Sequence, residues 1–173
     1  SEMCIRDRHY IDKKVDKSLL DEMLSAANLA PSWKNSQTPR LYVATGEKSK
    51  NAVREALPEF NRKNSENASA YIVTTVVLNR SGFDKDGTAV TEIGNGWGYY
   101  DLGLNNMALL LKATELGIST LVMGIRDGEK LREKFDIPET EAVVSVIAVG
   151  YTDSEIVRPK RKSVEDFAKF YED

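Results

Sequence analysis

The chain has 173 residues, of which 41% are hydrophobic and 29% charged, and these are values typical of a globular protein. A chain of this length predicts a single domain, residues 1–173, that buries roughly two thirds of its unfolded surface. The net charge of −3 and the isoelectric point near 5.4 argue against a nucleic-acid-binding protein, because such proteins present a basic face.

Cysteine and histidine are too scarce for several kinds of site. Cys4 is the only cysteine and His9 the only histidine, which excludes an internal disulfide framework and a metal site built from either residue type. No apolar run approaches the roughly 18 residues of a membrane span, and Ser1–Arg8 lacks the apolar core of a signal peptide. The sequence therefore predicts a cytoplasmic protein with no membrane partner.

The first predicted element is an amphipathic helix that follows Asp16, a residue suited to the N-cap position. Its apolar residues fall at helical spacing on one stripe, namely Leu19, Leu20, Met23, Leu24 and Ala27. Pro31 ends the helix, because the residue before a proline is pushed out of the helical region. The stretch Ala30–Pro39 that follows is dense in hydroxyls and amides, which suits a flat ligand with polar edges. A polar connecting loop is an equally good interpretation of this composition.

Helices and strands then alternate along the chain. The predicted strands are Leu41–Thr45, Ala70–Leu78, Ile118–Met123 and Val143–Val149, and the predicted helices are Ser49–Asn61 with a break at Pro58, Trp97–Leu116, Glu129–Phe135 and Ser163–Tyr171. Ala70–Leu78 is almost continuously apolar, as in a strand covered on both faces. The polar, glycine-bearing segment Ser81–Gly96 is expected to be mobile. This order predicts an α/β sandwich around one mixed sheet.

The long helix Trp97–Leu116 carries two apolar stripes instead of one. One stripe consists of Tyr100, Leu104, Met107, Ala108 and Leu111, and the other of Leu102, Leu109, Leu110, Ala113 and Leu116. A helix that is apolar on more than one side lies either at the centre of its domain or in an oligomer interface.

Positive charge is concentrated near the two ends of the chain. Arg158–Lys162 places four cations just ahead of a predicted helix N-terminus, an arrangement that suits a phosphate group. Taken alone, a solvated basic turn is the more common explanation of such a run. Arg6 and Arg8 form a second cationic pair. Gly94–Gly98 does not complete a dinucleotide-binding glycine pattern, and the chain contains no phosphate-binding loop of the G-x-x-x-x-G-K type.

Several short segments together resemble the nitroreductase family of FMN-dependent oxidoreductases, in a short, minimal form. In family order they are Arg8–Tyr10, Ala30–Gln37, Phe60–Asn61, Trp97–Gly103, Met123–Ile125, Ile137–Glu139, Ile147–Tyr151 and Pro159–Lys162. No single segment is specific, but their shared order covers nearly the whole chain from Arg8. The resemblance implies a nitroreductase-like fold, which is a three-layer α-β-α sandwich (α+β) with a central mixed, mainly antiparallel sheet.

The resemblance also implies roles for four cations. Arg161 would hold the FMN phosphate with Lys160 beside it, and Arg8 would face the pyrimidine edge or the phosphate side of the flavin. Arg6 would replace a cation that relatives carry nearby. Ser1–Arg8 also resembles translated adapter sequence, which makes residues 1–8 candidates for a non-native segment.

The remaining implied ligands are neutral. Ser32 and Asn35 would contact an FMN held mainly by the other subunit of a two-fold homodimer. Asn61 would hydrogen-bond the ring, and the backbone around Met123 and Gly124 would approach flavin N5. Trp33 or Trp97 would line the oxidant site, although each is equally suited to core or dimer packing.

The implied activity is NAD(P)H oxidation by ping-pong turnover. Hydride passes from NADH or NADPH to flavin N5, and a nitroaromatic, quinone or similar small oxidant then takes the electrons. FMN carries this chemistry, and the protein supplies position and electrostatics. Two alternatives stay open, namely a flavin-binding redox sensor or flavin store without turnover, and a dimeric scaffold that has lost FMN.

Overall fold

The structure is a computed structural model that describes residues 9–153 and 160–172. Its strands are β1 (Tyr10–Ile11), β2 (Pro39–Ala44), β3 (Ala70–Val77), β4 (Ser119–Met123) and β5 (Glu141–Thr152). Its helices are α1 (Lys17–Asn28), α2 (Glu47–Glu55), α3 (Glu59–Asn64), α4 (Gly96–Glu115), α5 (Gly128–Phe135) and α6 (Val164–Phe167), with a short 3-10 turn at Trp33–Asn35. No helix among the described residues has both the length and the apolar character needed to cross a bilayer.

The sheet is built around β5. Within the described residues, β3 and β4 pair with opposite edges of β5, β1 pairs with the last two residues of β5, and β2 pairs with the outer side of β3. Every one of these pairings is antiparallel. Pro39, which has no backbone N–H to donate, opens β2 at the edge of the sheet, where a proline does least harm.

Apolar residues fill both faces of the sheet, as the continuous apolar runs predict. Tyr71, Val73 and Ala148 point to one face, where they pack with residues of α2 and α5. Ile72 and Ile147 point to the other face, where they pack with α1 and α4. Helices thus cover both sides of the sheet, and the predicted three-layer α-β-α sandwich is confirmed.

A β-bulge shifts the register between β3 and β5 by one residue. Thr74 pairs with Ser145 and Thr75 pairs with Val143, so β5 carries one extra residue at this point. Because side chains alternate along a strand, the extra residue lets Val143 and Val146 face the same side of the sheet.

The two apolar stripes of α4 differ in burial. Leu102, Leu109 and Ala113 are buried in the described chain, whereas Tyr100, Met107 and Leu111 are exposed. Gly117 ends the helix with φ of 69°, and the N–H of Ile118 donates to Ala113 O at 2.8 Å, which is the bond of a Schellman cap.

Two elements differ from the sequence-based prediction. β1 was not predicted, because two residues carry no periodic signal and their pairing partners, Tyr151 and Thr152, lie at the far end of the chain. α6 ends at Phe167 and not near Tyr171, and Ala168 is extended. Its residues are exposed, so no burial offsets the cost of forming a longer helix.

A polar cluster links three strands on the face that packs with α2 and α5. Tyr42 Oη donates to Glu141 Oε2 at 2.9 Å, and Thr75 Oγ1 donates to the same oxygen at 2.5 Å. Glu141 is 6% exposed. Burial, and then the hydrogen bond to the Glu141 carboxylate, raise the pKa of Tyr42 to about 12.

This raised pKa predicts a loss of stability at high pH. The folded pKa of about 12 lies above the ordinary value of 10.0, so the neutral phenol stabilises the folded state below pH 10 and this contribution is lost as pH rises through the folded pKa. We expect Tyr42→Phe to remove the tyrosinate absorbance change that occurs at the highest pH. Between pH 10 and about pH 12, the midpoint of urea unfolding should also fall less in the variant than in wild type. An unchanged titration in the variant would contradict the assignment.

Candidate functional site

The loop between α1 and β2 has an unusual backbone. Lys34, Asn35 and Gln37 have φ of 46°, 55° and 48°, a left-handed conformation that residues other than glycine seldom adopt. Such strain persists only where surrounding contacts enforce it, and it is common at ligand sites. We refer to Ser32–Gln37 as the polar loop.

Hydrogen bonds within the polar loop decide which groups it offers outward. Gln37 N donates to Ser32 Oγ at 3.0 Å, and Gln37 Nε2 donates to Asn35 Oδ1 at 3.0 Å. These bonds use the acceptor side of Ser32 and Asn35. The Ser32 hydroxyl hydrogen and the Asn35 amide hydrogens are therefore the groups that these two bonds leave available for donation.

A buried carboxylate anchors the polar loop to α4. Both oxygens of Asp101 lie 3.1 Å from Trp33 N, and Ser81 Oγ donates to Asp101 Oδ2. Ser36 Oγ lies 2.7 Å from Ser81 Oγ, and Thr38 Oγ1 lies 3.3 Å from it. Since the Ser81 hydrogen goes to the carboxylate, Thr38 acts as the donor to Ser81, whereas the Ser36 hydroxyl donates to Trp33 O at 2.5 Å.

A second group of predicted site residues meets where β4 ends. Asn61, on α3, is 7% exposed, and its Nδ2 donates to Ile125 O at 2.9 Å. This bond ties α3 to the chain just after Met123 and Gly124. The Met123 side chain is buried in the core, so only its backbone faces the site.

Two exposed apolar side chains flank Asn61. Phe60 precedes it and is 48% exposed, and Ile125, whose carbonyl accepts from Asn61, is 64% exposed. A Cβ placed on Gly124 would meet no atom within 4 Å, and within the described chain β4 pairs only with β5. The end of β4 is thus free for a flat group to approach along its outer edge.

The structure describes only two of the four cations that were predicted to bind FMN. Lys160 and Arg161 are exposed, and no ion pair involving either is found in the described residues. Arg6 and Arg8 lie outside the described residues. Because α6 has four residues, it offers no helix N-terminus of useful strength, and any phosphate would rest on the cations alone.

The two neutral groups lie on opposite sides of the sheet. The polar loop is bonded to α4, which packs on one face, whereas Met123 and the Tyr71 ring, whose hydroxyl donates to Ser65 O beside α3, pack on the other. One chain brings Asn61 together with the Met123–Ile125 strand end, but the described contacts do not join Ser32 or Asn35 to them.

The two tryptophan rings pack against each other at a tilt of 46°, and one of them, Trp33, belongs to the polar loop. The ring centroids of Trp33 and Trp97 are 4.7 Å apart, and Tyr100 meets Trp97 edge-on at 5.9 Å. Trp97 Nε1 donates to Thr91 Oγ1 at 2.8 Å, while Trp33 Nε1 is buried and has no hydrogen-bond partner among the described residues. This aromatic cluster fixes the Trp33 end of the loop against the start of α4.

Sequence reasoning missed Asp101 and Ser81. The only available signal for Asp101 was an acidic residue inside an otherwise apolar stretch of the long helix. Ser81 had none, because serine is common in polar loops. Among the described residues, no group of three His, Cys, Asp or Glu side chains is arranged to hold a metal ion.

Comparisons with known proteins identify relatives of the whole chain. The sequence model of the Nitroreductase family matches residues 5–151, a span that includes the positions of Arg6 and Arg8. A protein of Archaeoglobus fulgidus named "Putative NADH dehydrogenase/NAD(P)H nitroreductase" is 27% identical over 155 residues, which cover 86% of this chain and 80% of that protein.

Solved structures share the fold at lower identity. A nitroreductase family protein from Streptococcus pneumoniae superposes with a TM-score of 0.81 at 22% identity, covering 98% of this chain and 97% of the other. A structure described as "the oxidoreductase containing FMN" gives a TM-score of 0.81 at 24% identity, covering 94% and 85%. These likenesses support the fold prediction directly.

Proposed function

The chain belongs to the nitroreductase family, and on this premise we propose that it is an FMN-dependent NAD(P)H oxidoreductase. One observation carries the proposal. A buried carboxamide, Asn61, is bonded to the strand end after Met123, next to two exposed apolar side chains and a glycine with open space above it. An apolar platform with a few fixed polar groups is what a flavin ring requires.

The residues present fit the parts of FMN. Asn61 and the free edge of β4 suit the polar rim of the ring, and Phe60 and Ile125 suit its apolar face. Arg161 and Lys160 supply cations for the phosphate. Ser32 and Asn35 offer hydrogen-bond donors, which suit carbonyl oxygens and unprotonated ring nitrogens.

We further propose a two-fold homodimer with FMN at its interface. The exposed stripe of α4, with Leu111 53% exposed, gives each copy an apolar surface to bury. In such a dimer the polar loop of one copy would reach the flavin held by Asn61 of the other. This arrangement accounts for two ligand-binding groups that the sheet keeps apart in one chain.

When bound, FMN would accept a hydride from NADH or NADPH and pass the electrons to a nitroaromatic, quinone or similar small oxidant, in a ping-pong sequence. The chain's own residues would bind and orient both reactants. The Trp33–Trp97 cluster borders the polar loop and is our candidate lining for the oxidant.

The test is the visible spectrum of the purified protein together with its steady-state kinetics. We expect flavin bands at about one FMN per chain, and oxidation of NADH or NADPH whose double-reciprocal plots are parallel when a quinone or nitroaromatic is varied. Bound FMN without turnover would instead indicate a redox sensor or flavin store. Protein that binds no added FMN would overturn the proposal.

A further inference from the structure

Asp101 is buried, and no cation of the described residues balances its charge. The residue is 3% exposed in the second turn of α4, and no lysine or arginine of the described chain lies within ion-pair distance of its carboxylate. Burying a carboxylate is costly unless hydrogen bonds compensate. The compensation comes from two elements outside the helix, through Trp33 N and Ser81 Oγ.

These bonds act on the strained part of the polar loop. Trp33 immediately precedes Lys34 and Asn35, whose φ angles are positive, and Gln37 follows with the same strain. Thr38, which follows Gln37, donates to Ser81 Oγ, and Ser81 itself donates to Asp101. Asp101 therefore fixes the chain on both sides of the residues with positive φ, directly at Trp33 and through Ser81 at Thr38.

The same bonds set the direction of the ligand-binding groups. Ser32 precedes the anchored Trp33, and Asn35 lies between Trp33 and the anchored Thr38. Releasing either anchor would let Lys34 and Asn35 relax to an ordinary backbone conformation, which would turn the Asn35 amide away from its present direction.

We propose that Asp101 is a positioning residue, which holds the polar loop in the conformation in which Ser32 and Asn35 meet the flavin of a second copy. The part of this inference that concerns flavin binding, its flavin half, rests on the proposed function. The part that concerns the loop conformation, its loop half, involves the chain alone and can be measured without FMN.

The test compares Asp101→Asn with Glu141→Gln. Both variants neutralise a buried carboxylate that accepts from hydroxyl groups, but Glu141 bonds Tyr42 and Thr75 in the other layer, away from the polar loop. We expect Asp101→Asn to raise the Kd for FMN by about tenfold, since two neutral hydrogen bonds to the flavin are misdirected. Glu141→Gln should leave this Kd unchanged, even if its urea midpoint falls as far.

A second readout uses the protein without FMN. The chain has two tryptophans, and they form the Trp33–Trp97 pair, so near-ultraviolet circular dichroism from tryptophan reports on this contact. Asp101→Asn should weaken the signal and Glu141→Gln should preserve it.

Either of two results would overturn the inference: an unchanged signal in Asp101→Asn, or equal FMN affinity in both variants when wild type binds FMN. If the wild-type chain binds no FMN, the proposed function and the flavin half of the inference are both overturned. The circular dichroism of the tryptophans would still decide whether Asp101 holds the loop conformation.

Discussion

Leu111→Glu is expected to convert the protein to a monomer that no longer retains FMN. Leu111 lies on the exposed stripe of α4 with Met107 and Tyr100, the surface proposed to form the dimer interface. An uncompensated buried charge costs about 3–5 kcal/mol, and two-fold symmetry places it in the interface twice. The dimer dissociation constant should rise by at least about a thousandfold.

Light scattering after size exclusion measures the mass, and flavin absorbance in the same peak measures retention. Lys134→Gln is the matched control, because it changes the net charge by the same amount on α5, which packs on the opposite face of the sheet. A Leu111→Glu variant that stays dimeric would show that this stripe is not the interface. A monomer that keeps FMN would show that one chain completes the site.

Arg161→Ala is expected to weaken FMN binding by about 30-fold while leaving riboflavin binding almost unchanged. A hydrogen bond between charged groups contributes about 1.5–3 kcal/mol, and an arginine can make two such bonds to one phosphate. Arg161 is exposed and is found in no ion pair of the described chain, so its removal should not lower the urea midpoint.

Riboflavin is the internal control, because it carries the same ring without the phosphate. Fluorescence titrations of both ligands against wild type and variant give the four constants needed. Equal losses for FMN and riboflavin would place Arg161 at the ring. Unchanged affinity for both ligands would refute the assignment of Arg161 to the phosphate, and Lys160 would then be the next cation to substitute.

Much of the fold followed from local patterns in the sequence. The apolar run of β3 predicted a strand covered on both faces, which its burial confirms. The two apolar stripes of α4 predicted a helix at the centre of its domain or in an oligomer interface, and one of these stripes is buried within the described chain. Gly117 marked the end of α4 correctly. These features are readable because each depends on residues that are neighbours in the chain.

The details of the site were less accessible for the same reason. The bond from Trp33 N to Asp101 joins residues 68 positions apart, and no local sequence pattern predicts it. The positive φ values at Lys34 and Asn35 could not be predicted either, because glycine, the usual marker of this conformation, is absent from the loop. Ser32, Asn35 and Asn61 themselves were found only through the family resemblance.

The separation of the polar loop and Asn61 by the sheet has a genetic consequence. In a two-fold dimer built as proposed, every flavin depends on the loop of one chain and the carboxamide of the other. A chain defective in Asn35 would spoil only the site completed by its partner, and a mixed dimer would keep one working site. Defects in the two groups would therefore complement each other within a dimer, whereas two defects in the same group would not.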